Sequence, residues 1–167
     1  MLLICTASHE NNRELAEQIG RCAQKAHMTY EIIDLTEFDL PLYTSRSASI
    51  EADTAALREA FGRATAIFVL APEYNGSIPP VLTNAVAWLS TLGKDFRALF
   101  NGKVVALGTH SGGPGHKVLM AMRIMLAHLG CHIIGREISS HGGKPAADSS
   151  IEAILAEITQ LKPHLTR

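Results

Sequence analysis

A chain of 167 residues with 47% hydrophobic and 19% charged residues has the balance of an ordinary folded domain, and its length suits a single one spanning 1–167. The 15 Lys and Arg against 16 Asp and Glu leave a formal charge of −1, so no field draws the chain to nucleic acid or an anionic lipid surface. No apolar run approaches the roughly 18–20 residues of a membrane span, and Met1-Leu2-Leu3-Ile4-Cys5 lacks a basic leader, so the expected location is the cytoplasm.

Apolar runs and helical periods alternate along the chain. Leu2 to Cys5 reads as a buried strand, followed by the polar turn Thr6-Ala7-Ser8-His9-Glu10-Asn11-Asn12. Leu15, Ile19, Cys22, Ala23 and Ala26 recur at helical spacing. Tyr30 to Asp34 is a second strand, and a long polar loop runs through Pro41, Tyr43 and Ser49. Leu57, Ala60, Phe61 and Ala64 stripe a second helix, and Ala66 to Ala71 is a third strand ended by Pro72.

Pro79 and Pro80 suit the first turn of a third helix, where a missing N–H costs nothing; its apolar face is Leu82, Ala85, Val86 and Leu89. Lys103 to Gly108 is a fourth strand, and a turn through Gly112, Gly113 and Gly115 opens a fourth helix that Gly130 stops. Cys131 to Gly135 is the fifth strand. Ser149 and Glu152 have the spacing of a capping box at the last helix, which carries Ile151, Ile154, Leu155, Ile158 and Leu161.

Cys5, Cys22 and Cys131 are far apart in core-like segments, with no metal or redox spacing, and read as small buried hydrophobes. The eight histidines are scattered. Their only i,i+4 pair, His128 and His132, straddles the helix-ending Gly130, so no metal site is expected.

Strands apolar on both faces, separated by amphipathic helices, imply an α/β fold: a five-stranded parallel sheet covered on both sides in a three-layer sandwich. Such sheets bind ligands beyond the carboxyl ends of their strands, at the point where strand order reverses. That selects the loops after the first, third and fourth strands. The first leads into a helix whose free amides suit a phosphate, with Ser8, Asn11 and Asn12 as added donors or plain helix caps. The second contains Asn75-Gly76, a turn favouring positive φ. The third places Ser111, Gly112 and Gly113 where a flat ligand could lie against backbone. The first loop has no glycine and so matches neither a Walker nor a dinucleotide fingerprint, and the third does not match Walker A in glycine spacing or in the residue after Lys117.

The run Pro72-Glu73-Tyr74-Asn75-Gly76-Ser77-Ile78-Pro79-Pro80, with Asn84 and Trp88-Leu89-Ser90 after it, resembles the signature of the NADPH-dependent FMN reductase family. Ser111-Gly112-Gly113 through Arg123, Leu126, Leu129 and Gly130 is similar to that family's second segment, and Asn12-Arg13-Glu14-Leu15-Ala16 to its first helix. The resemblance implies a flavodoxin-like fold with FMN as cofactor and NADPH or NADH as co-substrate. It implies a small acceptor such as a quinone, free flavin, chromate or azo compound. Pro72, Glu73, Tyr74, Asn75 and Gly76 would line the flavin ring, Ser111, Gly112 and Gly113 its other edge, and the first loop would hold the phosphate. No protein residue is assigned a catalytic role, because the flavin carries the chemistry.

The first loop departs from the family's Gly-Ser-x-Arg-x-x-Ser-x-Asn pattern: it lacks the glycine and arginine and has Glu10 near the second serine. Weaker, reversible FMN binding is the expectation. Two other classes stay open on the same fold, a flavin-free structural or regulatory relative and a flavodoxin-type electron carrier. The charge of −1 and 5% aromatic content speak against the carrier. Met120, Ile124 and Ala127 lie opposite the core stripe Leu119, Met122, Met125, Leu126 and Leu129, and Val81, Ala85, Trp88 and Leu92 lie off the core face of the third helix. Such apolar faces predict a homodimer or homotetramer.

Overall fold

The computed structural model describes residues 1–44, 51–91 and 94–165; Ser49 and Leu92 lie outside the described residues. The elements alternate as β1 (Leu2–Thr6), α1 (Glu10–Lys25), β2 (Tyr30–Asp34), α2 (Glu51–Arg63), β3 (Ala66–Leu70), α3 (Pro80–Ser90), β4 (Val104–His110), α4 (His116–His128), β5 (His132–Ser140) and α5 (Asp148–Leu165). All pairings are parallel, in the order β2-β1-β3-β4-β5. That is the flavodoxin-like doubly wound sheet, and its order reverses between β1 and β3.

Successive strand side chains point to opposite faces, so a strand buried on both faces needs an unbroken apolar run. β1 and β3 supply it. Leu3, Cys5, Ile67, Val69, Val105 and Leu107 pack with α2, α3 and α4. Leu2, Ile4, Ala66, Phe68, Leu70 and Ala106 pack with α1 and α5. Hydrophobic burial on both faces therefore fixes the register, since a one-residue slip would exchange the two cores. The five-stranded sandwich is the architecture expected from the sequence.

Three element boundaries need correction. β4 runs on through His110 and β5 through Ser140, not to Gly108 and Gly135. β5 is an edge strand whose second half, Arg136 to Ser140, has Ile138 as its one apolar residue, so it offers no continuous apolar run. Ser149 lies inside α5, which begins at Asp148 with Ser150 and Ile151 donating to the carbonyl of Ala147, so the capping-box reading fails.

The segment after β2 is less polar in role than in composition. It opens with a 3-10 turn at Leu35–Glu37, and Phe38 and Leu40 pack on the core. It then covers α3: Trp88 Nε1 donates to the carbonyl of Pro41 at 2.8 Å, and the Tyr43 ring meets Trp88 edge-on at 5.2 Å. Ala85 and Trp88 are consequently buried, not off the core face.

Candidate functional site

The loops after β1, β3 and β4 converge at the carboxyl ends of the strands, around a cleft of about 890 Å³. That volume lies within the roughly 300–1,000 Å³ of small-molecule sites. Ser8, Asn11 and Asn12 form one wall; Pro72, Glu73 and Tyr74 with Ser111 and Gly112 form the other. Asn75 and Gly76 stand outside it, and Gly113 borders an adjoining hollow of about 390 Å³. His9, Glu10, Thr36, His110 and Gly142 also line the cleft.

The first wall is pinned by one side chain. Asn12 is buried, and its amide donates to the His110 carbonyl at 2.9 Å and accepts from the His110 N–H at 2.7 Å. It also donates to Ser8 Oγ at 3.1 Å. The Asn12 amide thus ties α1 to the end of β4 and has no donor left over for a ligand. Ser8 Oγ still has its own hydrogen to give. The start of α1 carries no side-chain cap, with His9 at the N-cap position, so the first-turn amides and their partial positive charge are left to the cleft.

The other wall is an interlock. Asn75 (φ 52) and Gly76 (φ 72) form a tight turn in which Tyr74 and Ser77 exchange backbone bonds of 3.1 and 2.9 Å. Two consecutive positive φ values are the reason for Asn-Gly there. Glu73 donates its N–H to Ser111 Oγ at 2.8 Å, while its carboxylate accepts from the N–H groups of Lys117 and Val118 at 3.1 and 3.3 Å. It is the missing cap of α4, whose own N-cap is Gly115 at φ 64 with no side-chain acceptor. A Cβ at Gly115 would stand 2.6 Å from Thr109 Cγ2, so the turn requires glycine. Ser111 also bonds Thr109 Oγ1 at 2.7 Å.

Asn84 donates to the carbonyls of Leu40 and Pro41 and accepts from the Tyr43 N–H at 2.8 Å. With Trp88 it fastens the segment after β2 onto α3. Two residues of the signature are therefore architectural.

The cysteines offer no nucleophile. All three are free and buried; burial pushes the Cys5 thiol up and that of Cys131 up to about 12. The described residues do bring His9, Asp34 and Glu37 together, with donor atoms within 4.8 Å, a grouping that the sequence spacing does not suggest. Asp34 already accepts three hydrogen bonds there, two from Thr36 and one from His9.

The family model for NADPH-dependent FMN reductases matches residues 1–145. The chain belongs to that family. FMN is accordingly its cofactor and NAD(P)H its co-substrate, and it is a flavin-dependent oxidoreductase. No curated protein matches the sequence. Among solved structures, the flavoenzyme NAD(P)H:(acceptor) oxidoreductase FerB of Paracoccus denitrificans superposes with a TM-score of 0.80 at 18% identity, covering 98% of this chain and 97% of that one. An azoreductase of Bacillus anthracis gives 0.63 at 19% identity, with 98% of each chain covered. A flavodoxin from the domain Archaea gives 0.66 at 13%, covering 98% and 99%. At such identities these likenesses establish the flavodoxin-like fold.

The residues present fit FMN. An uncapped helix start at one end of the cleft suits a phosphate. At the other end, a Cβ at Gly112 or Gly113 would meet nothing within 4 Å, and the amides of both glycines have no partner among the described residues. The loop at Gly142 carries no signal in the sequence, and His110 is not among the residues expected to bind the cofactor. His110 could have been, because it ends a strand on the binding side of the sheet; its Nδ1 lies 2.8 Å from Ser140 Oγ. No helix among the described residues is long and apolar enough to cross a membrane.

Proposed function

We propose that this FMN reductase holds the flavin in the cleft and passes electrons from NAD(P)H to a small acceptor such as a quinone, free flavin, chromate or an azo compound. The observation that carries the proposal is the convergence of all three loops on one cleft of suitable volume. When bound, FMN supplies hydride acceptance and electron donation. The first-turn amides of α1 and the Ser8 hydroxyl would hold its phosphate. Pro72 and Tyr74 would flank the ring, and the unpartnered amides of Gly112 and Gly113 would donate to its N1 and C2-carbonyl edge, where negative charge gathers on reduction. Glu73 and Ser111 act on the protein, keeping those amides in place through the α4 cap and the 2.8 Å bond between the loops.

Titrating the purified chain with FMN and following NADPH oxidation with a panel of these acceptors tests the assignment. Saturable FMN binding with acceptor-dependent turnover is expected. No saturable binding at high micromolar protein would favour the flavin-free relative. Binding and reduction without acceptor turnover would favour the carrier.

The same reading includes a homodimer or homotetramer. Met120 and Ile124 are 59% and 65% exposed on α4, with Ala127 beside them, and Tyr74 is half exposed at the cleft rim. Covering that face by a two-fold partner would remove apolar area from water at about 25 cal/mol per Å². Sedimentation equilibrium checks it: a fully active monomer at micromolar concentration excludes a site shared between subunits.

A further inference from the structure

We propose that His9, held by the buried carboxylate of Asp34, is the side chain by which this protein distinguishes FMN from riboflavin, donating from Nε2 to the cofactor phosphate. The inference rests on the flavin reading above and adds a residue to it. Asp34 closes β2 and is fully buried. Its Oδ1 accepts from the N–H and hydroxyl of Thr36 at 2.9 and 2.7 Å, which leaves Oδ2 for His9 Nδ1 at 3.2 Å. The ring stands at the N-cap of α1 with its side chain 75% exposed, on the wall of the cleft, beside the first-turn amides. Nε2 has no partner among the described residues.

The bond to Asp34 fixes the chemistry of the free nitrogen. An ionised carboxylate only accepts, so Nδ1 carries a hydrogen. In the neutral ring Nε2 is then a lone pair, which repels phosphate oxygens. In the protonated ring it is a donor with a positive charge. No Lys or Arg lies between Thr6 and Asn12, and the next cation along the chain, Arg13, is turned to Glu17 and Glu37 at 3.4 and 3.9 Å. His9 is thus the one side chain of the loop able to supply the charge that an arginine would. The other charged groups around it are acidic or already paired: Asp34 at the end of β2, Glu37 on the 3-10 turn, Glu10 next in the chain, and Arg13 toward Glu37.

FMN binding therefore draws on a proton on His9, and the affinity falls as that proton is lost with rising pH. The second ionisation of the phosphate, near pH 6, acts in the opposite sense and must be separated from it. The experiment measures FMN and riboflavin dissociation constants by fluorescence quenching on the full chain freed of flavin, between pH 6 and 8.5. Wild type should lose about tenfold in FMN affinity across that range, the worth of one charge-assisted hydrogen bond, with riboflavin unchanged. His9→Gln should bind FMN about tenfold more weakly than wild type at pH 6, match it near pH 8.5, and keep only the profile of the phosphate itself. His9→Lys should restore FMN affinity at pH 8.5. His9 is exposed, so circular dichroism should find both variants folded. Equal FMN profiles for wild type and His9→Gln, or no rescue by lysine, overturn the proposal while riboflavin binding keeps the flavin reading intact. Failure of wild type to bind either flavin overturns both.

Discussion

At the end of the cleft where we propose the flavin ring to lie two loops are locked to each other, whereas at the proposed phosphate end one loop is locked only to the sheet behind it. Glu73 reaches from the loop after β3 to cap α4, and Ser111 reaches back to the Glu73 N–H. The Asn75-Gly76 turn closes on itself through Tyr74 and Ser77. The first loop depends on Asn12 for its attachment to His110, and on Asp34 for the orientation of His9. Its ligand-facing groups are left open. Sequence change at the ring end therefore disturbs architecture first, and change at the phosphate end disturbs affinity first, except at Asn12.

That exception should have the largest effect. Asn12→Ala leaves both the N–H and the carbonyl of His110 without their partner, at a cost of about 2–3 kcal/mol. Urea denaturation measures it, and a loss below about 1 kcal/mol would show that the loop has other fastenings. Glu73→Ala comes next. It uncaps α4, worth about 1 kcal/mol, and Glu73→Gln should recover most of that because the amide oxygen still accepts. An alanine variant as stable as wild type would dissolve the interlock.

Two glycines sharpen the contrast further. Gly76 has φ 72, so Gly76→Ala should cost about 1 kcal/mol, the 3.2 Å approach to the flexible Lys117 chain adding little. Gly112 has open space where a Cβ would go and borders the cleft. Gly112→Ala should leave the urea midpoint nearly unchanged and weaken FMN severalfold, because the methyl group stands where the ring is to lie. Destabilisation by Gly112→Ala with intact affinity would reverse the assignment of the two positions.

The parallel sheet and its two covered faces were legible because β1 and β3 are unbroken apolar runs and the helices carry one stripe each. The binding rule for such sheets selects three loops with no knowledge of contacts, and those loops line one cleft. Legibility failed where a residue's partner is distant in sequence. Glu73 and Asn84 sit in a signature that suggests a ligand, yet they serve Lys117, Val118, Leu40, Pro41 and Tyr43. His9 and Asp34 are 25 positions apart, and only the β1–β2 pairing, Thr6 opposite Asp34, brings them together. The end of β5 was missed for a different reason. An edge strand has solvent on one side, so Arg136, Glu137 and Ser139 interrupt the apolar pattern without ending the pairing.

The smallest expected effect lies at Glu10, and it tests the phosphate end most directly. Glu10 is the first residue of α1, exposed and on the cleft wall, where a carboxylate gains from the helix dipole but repels an incoming dianion. Replacing it removes both terms. Glu10→Ser should leave stability within about 0.5 kcal/mol of wild type, since serine is itself a good residue at a helix start. FMN should bind about two- to fivefold more tightly at low salt, the worth of one exposed charge pair, and riboflavin should not change. The gain should shrink as salt rises, because at 1 M the screening length falls to about 3 Å, shorter than any contact across open solvent. His9 responds differently: a hydrogen bond from Nε2 resists screening, so its pH dependence should survive the same salt. A Glu10→Ser gain that persists at 1 M salt, or one shared by riboflavin, would mean that Glu10 acts by shape or on the fold of the loop and not by its charge.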